Sequence, residues 1–167
     1  MAGTVALLLF PVLMALAASS DLLTMRISNK LVLALIGGFI GVALFARLPL
    51  NELGMHLLSG FAVLVVGFTF YAFRWIGGGD AKLAAATTLW LGFGLTVPYL
   101  MYAALLGGAL TLTILTLRQI PLSPFITRFA WIERLHNNKS GVPYGIALAA
   151  AGMLVYVETP LFQHFAS

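Results

Sequence analysis

The sequence predicts an all-α integral membrane protein, a bundle of six transmembrane helices with the N- and C-termini outside. Three observations carry that expectation. Of 167 residues, 61% are hydrophobic and 8% are charged, where a soluble domain carries roughly 25% charged. Mean hydropathy is +1.03, and uncharged runs as long as a bilayer crossing recur along the chain. The nine Lys and Arg are scattered singly, which suits loop charges that set topology better than a surface for nucleic acid. Nucleic acid is not an expected partner. With no Cys and three scattered His, no disulfide framework and no metal site are expected, and nothing calls for a cofactor.

The charges delimit the elements in order. Twenty uncharged residues precede Asp21 and predict a first span at about 3–20. Ala15-Leu16-Ala17 resembles a signal-peptidase site, but no Lys or Arg precedes the apolar run, so this segment reads as a retained helix. Sixteen residues between Lys30 and Arg47 give a short second span at 30–46, whose flanking charges can snorkel to the two interfaces. The twenty-one between Glu52 and Arg74 give a third at 55–73. The thirty-five between Lys82 and Arg118 exceed one helix of about 17 to 25 residues. Gly92, Gly94 and Pro98 mark a turn that divides them into spans 81–96 and 98–117. The eighteen between Lys139 and Glu158 supply the last, 143–158.

Lys and Arg are retained in cytoplasmic loops. Six spans with the N-terminus outside place eight of them inside and only Arg47 outside; treating 83–117 as one crossing leaves four against five. The whole chain reads as one transmembrane domain. Residues 118–141 form its cytoplasmic loop, where Phe125, Ile126, Phe129, Ile132 and Leu135 fall near helical period and predict a short interfacial helix. Arg128, Arg134 and Lys139 there are expected to meet anionic lipid headgroups. Gly37, Gly38, Gly41, Gly107 and Gly108 are expected to let helices pack closely.

This topology sorts the five acids. Glu52 and Glu158 fall outside, with His56 and His164, for which the sequence suggests no role; Asp21, Asp80 and Glu133 fall on the cytoplasmic side. Asp21 follows the first span and Asp80 precedes the fourth, so two carboxylates stand at helix ends near one membrane face. A carboxylate near hydrocarbon is costly and is a functional candidate by default. Plainer roles exist: Asp80 as a helix cap, Asp21 as a partner of Arg26 or Lys30. The Gly77-Gly78-Gly79 run before Asp80 adds weight, because glycines remove bulk and open backbone angles closed to other residues. Two carboxylates brought together cannot both ionise cheaply. One then takes a proton from water while the other donates to a peptide carbonyl oxygen, the chemistry of an aspartic protease.

At these residues the sequence resembles the type IV prepilin peptidases. Gly77-Gly78-Gly79-Asp80-Ala81-Lys82 is similar to their GxGD motif, and Asp21 to Asn29 is similar to their first-aspartate motif. Val142-Pro143-Tyr144-Gly145 is a third match. Ser28 stands where the family commonly has Pro, and serine suits a helix cap. The resemblance implies a bacterial inner-membrane, multi-pass GxGD endopeptidase with Asp21 and Asp80 as the catalytic pair. Its substrate would be a prepilin with a short basic leader on the cytoplasmic side and an apolar helix. It further implies that Gly77 and Gly79 shape the loop, that Lys82 and Asn29 stand near the site, Asn29 most simply as a cap, and that Pro143, Tyr144 and Gly145 line it. Large family members carry a cytoplasmic domain with paired cysteines, associated with N-methylation. Its absence between the first two spans points to the small peptidase-only branch of tight-adherence (Flp) pilus systems. Membrane lipids and other pilus-assembly proteins are the remaining expected partners. The competing readings are a transporter using the aspartates for ions and an assembly subunit without activity.

Overall fold

The structure, a computed structural model, describes residues 2–123 and 128–166. Among these residues the chain is entirely helical: α1 (Ala2–Thr24), α2 (Asn29–Phe45), α3 (Leu50–Ala72), α4 (Gly78–Leu91), α5 (Phe93–Leu117), α6 (Ala130–His136), α7 (Tyr144–Tyr156) and α8 (Pro160–Ala166). Three are long and apolar enough to cross a bilayer: Gly3–Thr24, Leu50–Ala72 and Phe93–Leu117. α2 and α7 are shorter apolar helices.

α4 is the hub. From Leu83 to Leu91 every residue is buried, and the helix packs on α3 above all, then on α7, α2 and α5. Its Ala84-Ala85-Ala86 run lets neighbours approach closely. The end of α4 away from Asp80 is locked by aromatic packing. Phe10, Trp90 and Tyr156 form a fully enclosed cluster with Phe39, and Trp90 Nε1 donates to the Leu35 carbonyl at 2.9 Å. His56 joins the same end: its Nδ1 lies 2.8 Å from the Leu89 carbonyl oxygen.

Several boundaries differ from the sequence expectation. The chain breaks at Gly92 alone, so the helix expected to run to residue 96 ends at Leu91, and α5 begins at Phe93 with Pro98 inside it. The reason is backbone geometry. Gly92 adopts φ 77° and ψ 173°, a region that only glycine enters cheaply. Ser28 caps α2 by accepting from the Leu31 amide at 3.3 Å, which displaces Asn29 from the capping role expected of it. α2 and α3 each end with a residue in the left-handed region, Arg47 at φ 52° and Arg74 at φ 60°. Paired backbone bonds close each end, including Leu48 N–H to Ala43 O and Trp75 N–H to Phe70 O, both at 3.0 Å. This is the Schellman pattern, built here on arginine instead of glycine.

Of the glycines expected to pack, a Cβ on Gly38 would lie 3.0 Å from Leu9, and one on Gly107 would lie 2.6 Å from Tyr144. Gly37, Gly41 and Gly108 have open space within 4 Å, so close packing is not their role. α6 occupies part of the expected interfacial helix; Pro124, Phe125 and Ile126 lie outside the described residues. α8 was not expected, and it packs on α1.

Candidate active site

Asp21 lies in the last turn of α1 and Asp80 in the first turn of α4. Both therefore sit within helices, where the sequence placed them just outside. The two side chains line one cavity of about 780 Å³, together with Met25, Arg26 and Ile27, the segment from Arg74 to Gly79, and Gly141, Val142 and Tyr144. Asp80 stands close enough to Asp21 to feel its charge. Asp21 is 5% exposed and Asp80 is half-buried.

Each carboxylate is held by a helix N-terminus, where the first amides have no partner within the helix. Asp21 Oδ2 accepts from the Gly145 amide, in the first turn of α7, at 2.6 Å. Asp80 sits three residues after Gly77, the residue preceding α4, and its side chain turns back to the Gly77 amide. That is the return half of a capping box. Both amides belong to glycines, and both glycines are needed for room. A Cβ on Gly145 would stand 2.8 Å from Asp21 Oδ2, and one on Gly77 would stand 2.7 Å from Asp80 Oδ2.

The Gly77-Gly78-Gly79 run does not use the backbone angles that glycine alone permits. Gly77 has φ −72° and ψ 143°, and among the described residues only Gly92 is a glycine at positive φ. Space is the reason instead. A Cβ on Gly79 would come within 3.3 Å of Ile27 Cβ, and one on Gly78 within 3.2 Å of the Tyr71 ring. Bare backbone thus lets the connection after α1 lie directly against the start of α4, which brings Asp21 toward Asp80.

The other expected site residues divide. Tyr144 lines the cavity, and its hydroxyl accepts from Thr111 Oγ1 at 3.1 Å. Pro143 is buried at the start of α7. Lys82 is turned away: it lines a separate apolar cavity between α2, α3 and α4, and its Nζ donates to Asn29 Oδ1 at 3.1 Å. Neither Lys82 nor Asn29 lines the aspartate cavity. Among the described residues no ion pair joins Asp21 to Arg26 or Lys30; a backbone amide holds it instead.

Sequence reasoning missed the scaffolding. Ser20 Oγ donates to the Arg26 carbonyl at 2.9 Å, Thr24 Oγ1 donates to the Ser20 carbonyl at 2.7 Å with the Arg26 carbonyl 3.2 Å away, and Met25, between Thr24 and Arg26, adopts φ 51°. The four-residue spacing of two hydroxyls at a helix end was the available signal. Arg134 was expected at lipid, yet its Nη1 donates to the Leu23 carbonyl at 2.8 Å and ties α6 to the end of α1. Arg118 donates to the carbonyls of Leu135, Ser140 and Gly141 at 2.8, 3.1 and 2.9 Å. It thereby anchors the strand of chain that leads into α7.

A profile described as the type IV leader peptidase family matches residues 8–112, a stretch that contains both Asp21 and Asp80. The chain belongs to that family. Two curated relatives from Aeromonas salmonicida, one of them from strain A449, are each named prepilin leader peptidase/N-methyltransferase. Each is 29% identical over 146 residues, which cover 80% of this chain and 50% of the relative. The chain thus spans about half the length of the curated relatives it matches. No solved structure matches it. The family profile stops before Pro143, Tyr144 and Gly145, so the structural case for that stretch rests on the Gly145 contact to Asp21 and on Tyr144 in the cavity wall.

Proposed function

We propose that this chain is an aspartic endopeptidase of the bacterial inner membrane that removes the basic leader from type IV prepilins. One observation carries the reading. Two carboxylates from separate helices face one cavity, each steadied by the amide of a glycine at a helix start. In the reaction, the ionised member of the pair takes a proton from water, which attacks the scissile carbonyl. The protonated member donates to the carbonyl oxygen, and the tetrahedral intermediate collapses as the leaving amine takes up a proton. The pair titrates as a unit.

The finer parts of the proposal have separate support. A bundle of six spans with the site on the cytoplasmic side agrees with the eight-to-one distribution of Lys and Arg. The connection between α1 and α2 covers only residues 25–28, and the chain has no Cys. Both facts support the peptidase-only branch with Flp-like prepilins as substrates and no N-methyltransferase activity. Placement of the carboxylates at helix ends favours a peptidase over an ion carrier, for which mid-membrane positions on broken helices are expected.

The test is co-expression with an Flp-like prepilin while the precursor's size is followed. The intact protein should shorten it, and Asp21→Asn and Asp80→Asn should each leave it uncut while inserting normally. Cleavage that survives in either variant would refute the pair.

A further inference from the structure

We propose that the apolar groove between α3 and α5 is the docking site for the substrate's membrane helix, the apolar segment that follows the scissile bond. The inference rests on the reading of Asp21 and Asp80 as a peptidase pair. α3 packs mainly on α4, and α5 mainly on α7, so the two meet only loosely and leave a cleft of about 330 Å³. Val66 and Phe70 form one wall and Leu100 the other. Ala81 and Ala84 of α4 make the floor, and small residues at that position let another helix come close.

Continuity with the aspartates identifies the occupant. Ile76, Asp80 and Tyr144 line both the groove and the aspartate cavity, so the two are one passage, apolar along α3 and α5 and polar at the Asp80 end. The apolar cavity behind Lys82 and the one between α1 and α2 share no residue with the aspartate cavity. An acyl chain can fill an apolar groove but presents no peptide bond at its end. A polypeptide that is helical and apolar in the bilayer, and extended and polar where it leaves it, fits both halves. Its scissile bond then falls at the junction, beside Asp80. The leader occupies the polar cavity, and the residues after the cut occupy the groove.

Photo-crosslinking tests this directly. The photoreactive residue p-benzoylphenylalanine is placed at Val66 or Leu100 in the Asp80→Asn protein, which is co-expressed with an Flp-like prepilin and illuminated. Both positions should capture the uncut precursor through its apolar segment. Leu112, 68% exposed on α5 and outside the groove, should not. In the otherwise intact protein, Val66→Trp should raise KM for the precursor about 10-fold, while Leu112→Trp leaves cleavage unchanged. Adducts at Val66 and Leu100 that contain only lipid or a second copy of this chain, or equal capture at Leu112, would overturn the groove. If the intact protein cleaves the precursor and no groove adduct forms, the peptidase reading stands and the docking site falls. If no precursor is cleaved, both fall.

Discussion

A methyl group on Gly145 would sit 2.8 Å from Asp21 Oδ2 and 2.9 Å from its Cβ, far inside normal contact, so alanine there must push either the carboxylate or α7 aside. Reacting groups displaced by about 1 Å can lose roughly 100-fold in rate. Gly145→Ala is therefore expected to lower leader cleavage by about that factor, with the loss in kcat. Gly108→Ala, where a Cβ meets nothing within 4 Å, should cleave normally. Steady-state kinetics on both variants in detergent checks the pair. At this scale the two aspartates could be singled out as candidates because a carboxylate beside hydrocarbon stands out in a chain with five acids. The amide that holds Asp21 was not, since Gly145 lies 124 residues away in sequence. Lys82 misled for a related reason: two residues from Asp80 along a helix turns its side chain to a different face, toward Asn29.

Residues 118–141 show how much of an element's role hides in its hydrogen bonds. Their composition reads as a basic surface loop, yet Arg118 fastens three carbonyls of the chain entering α7, and Arg134 fastens the end of α1. The segment acts as a bracket across the two helix ends that meet at Asp21. Hydrogen bonds from a charged donor contribute about 1.5–3 kcal/mol each when well made, less where water competes. Arg118→Ala should destabilise the protein by about 1–3 kcal/mol, read as a lower thermal midpoint in detergent, and should slow cleavage. Arg118→Lys should recover little, because one ammonium cannot reproduce a guanidinium's fork of donors. Helix existence was readable from the charge-free gaps, whereas helix ends were not. Between Gly92, Gly94 and Pro98, the residue that turns the chain is the one whose pairing of φ 77° with ψ 173° no side chain tolerates well.

For the whole molecule, the distribution of Lys and Arg makes a claim that chemistry can check. Since the chain contains no Cys, single cysteines can be introduced without a background. Exposed Asn51 and Glu158 fall on one side of the proposed bundle, and exposed Gln119 and Asn138 on the other. Asn51→Cys and Glu158→Cys should react with a membrane-impermeant maleimide in cells with an opened outer membrane. Gln119→Cys and Asn138→Cys should react only after the inner membrane is breached. Labelling of Gln119→Cys from outside would restore the five-span arrangement and move the aspartates away from the loop that brackets them.

The shortness of α4 has a consequence for supply. Its fourteen residues extend about 21 Å, against about 30 Å of hydrocarbon, and other helices surround it. No acyl chain needs to adapt to the missing length. At the Asp80 end the chain instead leaves a cavity of about 780 Å³, room for water on the order of tens of molecules. On the proposed reaction, each peptide bond cut would consume one of them. A bilayer excludes the very reagent that hydrolysis requires, so the most enclosed helix, by ending early, leaves room for it beside the two carboxylates.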